Sequence, residues 1–334
     1  MDANSESTLA APPRLIPAVT AGFNLIAANV WIILLPLVLD LWLWFGPKLR
    51  LKALLLPWVT DFFSQLPPTA APESAVLIQR ITHTWQKALE SFNLLGVLRT
   101  YPIGETSLMS VNGVAQTPLG PSQEYEMITA AGALGLWLLL LLAGLFIGSL
   151  FFGRIARLAF PTQRQDTLRA LFWQFIQILI FSLAVIFLLM VLLFPIALAT
   201  TLLAAINPDL AQIALFLMGL VLIWLLFPLV FAPHGVFALR QNVVSATLTS
   251  LRLVRFFLPG ASLFLVVLFV ISQGLDIIWR IPPSDSWMLL LGLGGHAFIS
   301  SSLIAASFVY YRGGIEWMQA NLKKMMQPSS PTRA

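Results

Sequence analysis

The chain has 334 residues, 58% of them apolar and only 10% charged, with no cysteine and a net charge of +5. Soluble domains average about 45–50% apolar and ~25% charged residues, so a water-soluble globule is excluded. Disulfides, thiolate catalysis and Cys-ligated zinc or iron–sulfur clusters are excluded with the missing cysteine.

Residues 1–13 are small and polar, rich in Ser, Ala and Pro, and read as a disordered cytoplasmic tail. An uncharged stretch from Leu15 to Leu39 follows. It exceeds the ~7–15-residue core of a signal peptide, so it reads as an uncleaved first span within 14–45. A short interfacial segment around Pro17–Asn24 is expected to lead into it.

Residues 46–126 form the one long extramembrane segment. Leu51–Leu66 reads as a helix before the Pro67-Pro68 break. Leu77, Ile81, Trp85, Leu89 and Phe92 follow helical spacing, with Arg80, His83, Lys87 and Glu90 on the other face. Tyr101–Gln123 is rich in Gly, Pro, Ser and Thr and reads as loop. Together these make an extracytoplasmic amphipathic-helical cap.

Residues 127–312 supply five further spans. Met127–Gly153 is the second. Ala170–Leu239 has Asp209 as its single formally charged side chain and Asn207-Pro208-Asp209 near its midpoint. It reads as a transmembrane hairpin turning at Asn207, with a kink at Pro195. Phe256–Leu275, extended past Asp276 to Trp279, is the fifth span, and Ser286–Tyr311 the sixth. Each is long enough to cross a hydrocarbon core of roughly 30 Å. Trp42, Trp44, Trp279 and Trp287 stand near the ends of spans, as interfacial anchors do. Residues 313–334 form a second cytoplasmic tail. The expected fold is an all-α polytopic helical membrane bundle of about six transmembrane helices, with amphipathic interfacial helices.

Orientation follows from the basic residues. With the N-terminus inside, Arg14, Arg154, Arg157, Arg164, Arg169, Arg240, Arg252, Arg255, Arg312, Lys323, Lys324 and Arg333 face the cytoplasm, twelve of the nineteen Lys and Arg. The cluster Lys48, Arg50 and Lys52 dissents, but it opens a long loop, and long loops translocate with less regard to charge. Both termini are therefore expected inside. The same placement removes any nucleic-acid reading of the positive charge.

Ionisable groups within spans are the candidate site residues. Gln273, Asp276 and Arg280 share one helix face near the outer end of the fifth span. His296 lies about ten residues into the sixth, after Gly292, Gly294 and Gly295 and before Ser300–Ser302. It fits a proton relay, a cofactor ligand or an interhelical hydrogen bond, with Gln273 as a partner. Asp40 in the first span, and Gln174 and Gln177 in the third, carry the same two readings. His234, after Pro228 and Pro233, is expected to reach interfacial water. Gly144 and Gly148 form a close-packing motif that serves an internal contact or a dimer face. Asn242–Phe256 reads as a basic amphipathic helix in the headgroup layer, with Arg240, Arg252 and Arg255 as a candidate cytoplasmic interface.

Phosphate-binding, zinc-protease and serine-hydrolase motifs are all absent from the sequence. The run Ala246-Thr-Leu-Thr-Ser250-Leu-Arg-Leu-Val-Arg255 carries a resemblance. From Asp166 onward the chain resembles the polytopic membrane domain attached to some glycerophosphodiester phosphodiesterases and related bacterial inner-membrane proteins of unknown role. The resemblance implies a short basic helix with an Ala-x-x-x-Ser step ahead of the fifth span, between two hydrophobic hairpins. The phosphodiesterase catalytic domain has no counterpart, so its activity is not implied, and the long outer segment departs from the compact family pattern.

The expected function is a non-enzymatic scaffold, assembly or accessory component of a prokaryotic plasma membrane. It would need no cofactor or metal, with membrane lipids and a protein partner or second copy as partners. One alternative is a transporter or permease subunit using Asp40, Gln273, Asp276, Arg280 and His296. Another is a lipid-modifying enzyme, in which two or more of these would converge on a pocket facing a leaflet.

Overall fold

The computed structural model describes residues 12–64, 72–101, 103–110, 116–161 and 168–326. Residues 1–11 and 327–334 of the two expected tails, the Pro67-Pro68 break, Arg164 and Arg333 lie outside the described residues, and the first part of the second tail, to Met326, continues α11. The protein is all-α apart from two short two-stranded ribbons. Five helices are long and apolar enough to cross a membrane, or six spans if one broken pair, Leu15–Ala27 and Val30–Phe45, counts as one.

That pair is α1 (Leu15–Ala27) and α2 (Leu34–Phe45), with a 3-10 turn at Val30–Ile33 between them. The break falls at Asn29, whose backbone leaves the helical region (φ −136°, ψ 52°). Pro36 lies inside the first turn of α2, where its missing N–H costs nothing. After α2 come β1 (Lys48–Arg50), α3 (Lys52–Ser64), α4 (Pro72–Ser91) and a 3-10 turn at Leu94–Leu98. β2 (Gln116–Thr117) pairs antiparallel with β3 (Gly120–Pro121), and β4 (Glu124–Glu126) pairs parallel with β1. The remaining chain is α5 (Ala130–Ala159), α6 (Leu168–Ile206), α7 (Pro208–Leu226), α8 (Ala232–Leu239), α9 (Val243–Phe256), α10 (Leu258–Trp279) and α11 (Leu289–Met326).

The hairpin turns where its sequence says it should. Asn207 caps α7, its side-chain oxygen accepting from the amides of Asp209 (2.8 Å) and Leu210 (3.4 Å). Pro195 sits inside an unbroken α6. Large apolar side chains such as Phe187, Phe194, Phe216 and Trp224 are exposed along α6 and α7. A helix that is apolar all round suits lipid.

The chain forms two compact units. The first comprises Met1–Ala28, Phe152–Phe269 and Ser302–Ala334. Its interior is aromatic: Phe152 packs with Phe237 and Phe308, and Phe264 stacks on Tyr310 at 3.9 Å. α8 is buried from Ala232 to Ala238, and α9 packs beside it. Asn242 caps α9 by accepting from the Ser245 amide, and Ser250 Oγ donates to the Pro228 carbonyl.

The second unit comprises Asn29–Phe151 and Val270–Ser301. Leu39, Leu43, Trp44, Leu94, Leu95, Leu108, Met109, Leu140, Leu289 and Leu293 form its core. Trp44 donates to the Ser284 carbonyl at 2.8 Å. The dissenting basic cluster has structural employment here. Lys48 is buried, and its ammonium donates to the carbonyls of Leu43 and Trp44 at the end of α2. Arg50, also buried, reaches the Phe92 carbonyl at 2.9 Å and the Glu124 carboxylate at 2.5 Å. Burial, then the charge of Arg50, holds the Lys48 amine down to about 8, against the opposing pull of Glu124.

Candidate functional site

A segment read from sequence as loop is packed into the second unit. Ile103, Glu105, Ser107, Leu108 and Met109 are all buried. Two glycines of α5 receive it. A Cβ on Gly144 would collide with the Leu98 carbonyl, and one on Gly148 would lie 2.7 Å from the Gly104 Cα. Gly144 and Gly148 stand about 21 and 27 Å along α5, so the segment reaches the middle of a spanning helix. The close-packing motif thus meets a chain segment of its own unit.

Asp40 fastens this segment. Its side chain is fully buried on α2. Oδ1 accepts from Ser107 Oγ at 2.5 Å and the Met109 amide at 3.0 Å, and Oδ2 accepts from the Leu108 amide at 3.1 Å. The Ser107 hydroxyl also accepts from the Ser110 amide, and Thr100 Oγ1 donates to the Ile103 carbonyl at 2.5 Å, which tightens the turn.

The fastening brings Glu105 into the interior, 3% exposed. Its Oε1 has no hydrogen-bond partner among the described residues. Beside it, Thr106 Oγ1 and Ser300 Oγ of α11 share a hydrogen bond of 2.7 Å, and Ser300 also donates to the His296 carbonyl. His296 is buried one turn earlier on α11. Its Nδ1 lies 2.8 Å from Asp276 Oδ1 of α10, while its Nε2 has no partner among the described residues. The Asp276 side chain is 21% exposed. Asp40 acts electrostatically on both Glu105 and His296.

Three of the five candidate site residues therefore converge: Asp40, Asp276 and His296. Gln273 is exposed, so the expected bond from His296 to Gln273 is replaced by one to Asp276. Gln273 stands one turn before Asp276 on α10, and it is Asp276 that comes within hydrogen-bond distance of His296. Arg280 meets Asp276 through the backbone, its amide donating to the Asp276 carbonyl at 3.2 Å. Glu105 is the residue that sequence reasoning missed. Its signal was there: it is the single charged side chain between Tyr101 and Gln123.

The remaining candidates lie elsewhere. His234, expected at interfacial water, is buried in the first unit. It shares a 2.7 Å hydrogen bond with Ser307 and packs on Phe308 and Tyr311. Burial of α8 from Ala232 to Ala238 accounts for the difference. Gln174 is buried with its amide facing the Phe237 carbonyl, and Gln177 accepts from the Val243 amide at the start of α9. Arg252 and Arg255 are exposed on α9, and Arg240 is half-buried at the end of α8.

Chemically, the second-unit cluster can hold and move a proton. With Nδ1 directed at the Asp276 carboxylate, a neutral His296 donates there and presents Nε2 as an acceptor, and a protonated one donates from both nitrogens. Among the described residues, no group of three His, Asp or Glu could hold a metal ion. Comparison of the chain with family models, curated proteins and solved structures finds no match.

Proposed function

We propose that the protein is a non-enzymatic transporter or permease component of a prokaryotic plasma membrane, with both termini cytoplasmic. In this reading the Asp276–His296 pair and the Glu105 carboxyl beside Asp40 take up and release a proton as the cargo moves. One observation carries it: Glu105 and His296 are both buried in the second unit, each with an unpartnered polar atom, in the field of a third titratable group. Ionisable groups at such positions are costly to bury, and the core packing around them does not need them. Asp276 is the partly exposed member of the cluster.

A scaffold or accessory role is the second reading, favoured by the three donors that satisfy Asp40. Such a carboxylate has the bonding of a structural anchor for the 103–109 segment. The two readings separate in proteoliposomes loaded with a pH-sensitive dye and given an inward proton gradient and a membrane potential. The transport reading expects proton entry above that of empty liposomes, lost in Glu105→Gln and in His296→Gln at equal incorporation. Entry equal to empty liposomes for correctly folded wild-type protein supports the scaffold instead.

A further inference from the structure

One face of α10 carries a carboxamide among exposed apolar side chains. Val270, Gln273, Gly274 and Ile277 are all exposed, at the i, i+3, i+4 and i+7 positions of a single helical stripe. Independently of the proposed transport role, we propose that this stripe is the contact surface for a second copy of the chain, with Gln273 bonded to its own counterpart.

The depth of Gln273 makes its amide costly. α10 has 22 residues, Leu258–Trp279, and is about 33 Å long. Gln273 stands about 9 Å before its C-terminal end, inside a hydrocarbon core of roughly 30 Å. An amide there meets no water, and leaving it unpaired costs free energy. Other polar side chains of the spans meet this cost within the chain. Gln174 faces the Phe237 carbonyl, Gln177 accepts from the Val243 amide, and the Ser149, Thr201 and Ser262 hydroxyls donate to carbonyls one turn earlier. The Gln273 carboxamide has no hydrogen-bond partner among the described residues, while Asp276, one turn on, has His296.

Acyl chains can cover the valine and the isoleucine, but they offer nothing to the amide. A second copy supplies what is missing, because a carboxamide holds both donors and an acceptor. Two copies inserted the same way round, related by a two-fold axis along the membrane normal, bring the same residue to the same depth. Each Gln273 then donates to the other, so the surface is complementary to itself. Gly274 adjoins the amide, and a Cβ built there would meet nothing within 4 Å. The space beside the amide is therefore open, and a position without a side chain lets the facing backbone come close. Val270 and Ile277, one turn to each side, pack across the same contact.

The chain contains no cysteine, so an introduced one reports on its own position. The test uses full-length protein in phosphatidylcholine liposomes, oxidised and read as disulfide-linked dimer. Ile277→Cys should cross-link, whereas Leu139→Cys, at an exposed position of α5, should not. Dimerisation is then measured by energy transfer between copies labelled at the N-terminus with donor or acceptor, over falling protein-to-lipid ratios. Gln273→Leu should weaken it by about tenfold. Gly135→Leu, on α5 where an added Cβ also meets nothing, should leave it unchanged. Monomer at every ratio, cross-linking at position 139 equal to that at 277, or undiminished dimerisation of folded Gln273→Leu protein would each overturn the proposal.

Discussion

The two compact units each bury a histidine, His234 on α8 and His296 on α11, and they treat it in opposite ways. His234 of the first unit sits among Phe231, Phe308 and Tyr311 with the Ser307 hydroxyl as its hydrogen-bond partner. His296 of the second unit sits against the Asp276 carboxylate, with Asp40 in electrostatic reach. The first ring is packed among aromatic side chains, whereas the second is paired with a carboxylate. Burial alone therefore does not distinguish the two histidines; the charge gathered around them does.

The comparison breaks first at Asp40. Asp40→Ala strands the Ser107 hydroxyl and the amides of Leu108 and Met109, each at about 1–3 kcal/mol. This should be the most destabilising of the substitutions considered, seen as a large fall in thermal unfolding temperature in detergent and protease cleavage within residues 103–110. Unchanged stability would show that the buried segment is held by packing alone. The histidines sharpen the contrast. His234→Phe gives up a hydrogen bond worth about 1 kcal/mol in a site that already accepts rings, so fold and proton flux should both survive. His296→Phe should fold and lose the flux. Equal effects of the two variants would erase the distinction drawn between the units.

A third substitution probes how the segment carrying Glu105 is seated. Gly148→Leu drives a side chain into the Gly104 backbone, and overpacking of this kind costs about 1–3 kcal/mol. Proton entry should fall with it, although residue 148 carries no titratable group. A last substitution reads a single titration, that of Lys48, whose amine is held at about 8 against an ordinary value of 10.5. Between these values the unfolded chain binds more protons than the folded one, so stability should rise with pH from about 8 to about 10.5. Lys48→Met should flatten that rise in pH-dependent thermal unfolding.

What was legible in the sequence was whatever water and lipid dictate locally. The uncharged runs gave α5, α6, α7, α10 and α11, because a helix crossing lipid must be apolar on every side. Asn207 gave the hairpin turn through its capping chemistry. The amphipathic reading of 77–92 falls within α4 but for Phe92, just past its end; Leu89 is buried and Trp85 half-exposed. The site was half legible. Asp40, Asp276 and His296 stood out as ionisable groups in apolar surroundings, but nothing local says that their helices meet. Glu105 escaped because its segment has loop composition, and periodicity cannot distinguish a loop in water from one enclosed by helices. Two glycines on α5 and one carboxylate on α2 decide that difference, and both are long-range facts. Arg240 shows the same limit: it was grouped with Arg252 and Arg255 by proximity in sequence, while the fold places it with Arg169.

The central claim is that the buried acid–imidazole cluster of the second unit exchanges a proton. Infrared difference spectroscopy of the purified protein, recorded across a pH titration, reads it directly through the stretching band of protonated carboxyl groups. The account predicts a band in the wild type that disappears in Glu105→Gln and shifts in His296→Gln, while His234→Phe leaves it unchanged. Identical pH-difference spectra for wild type and Glu105→Gln would contradict it.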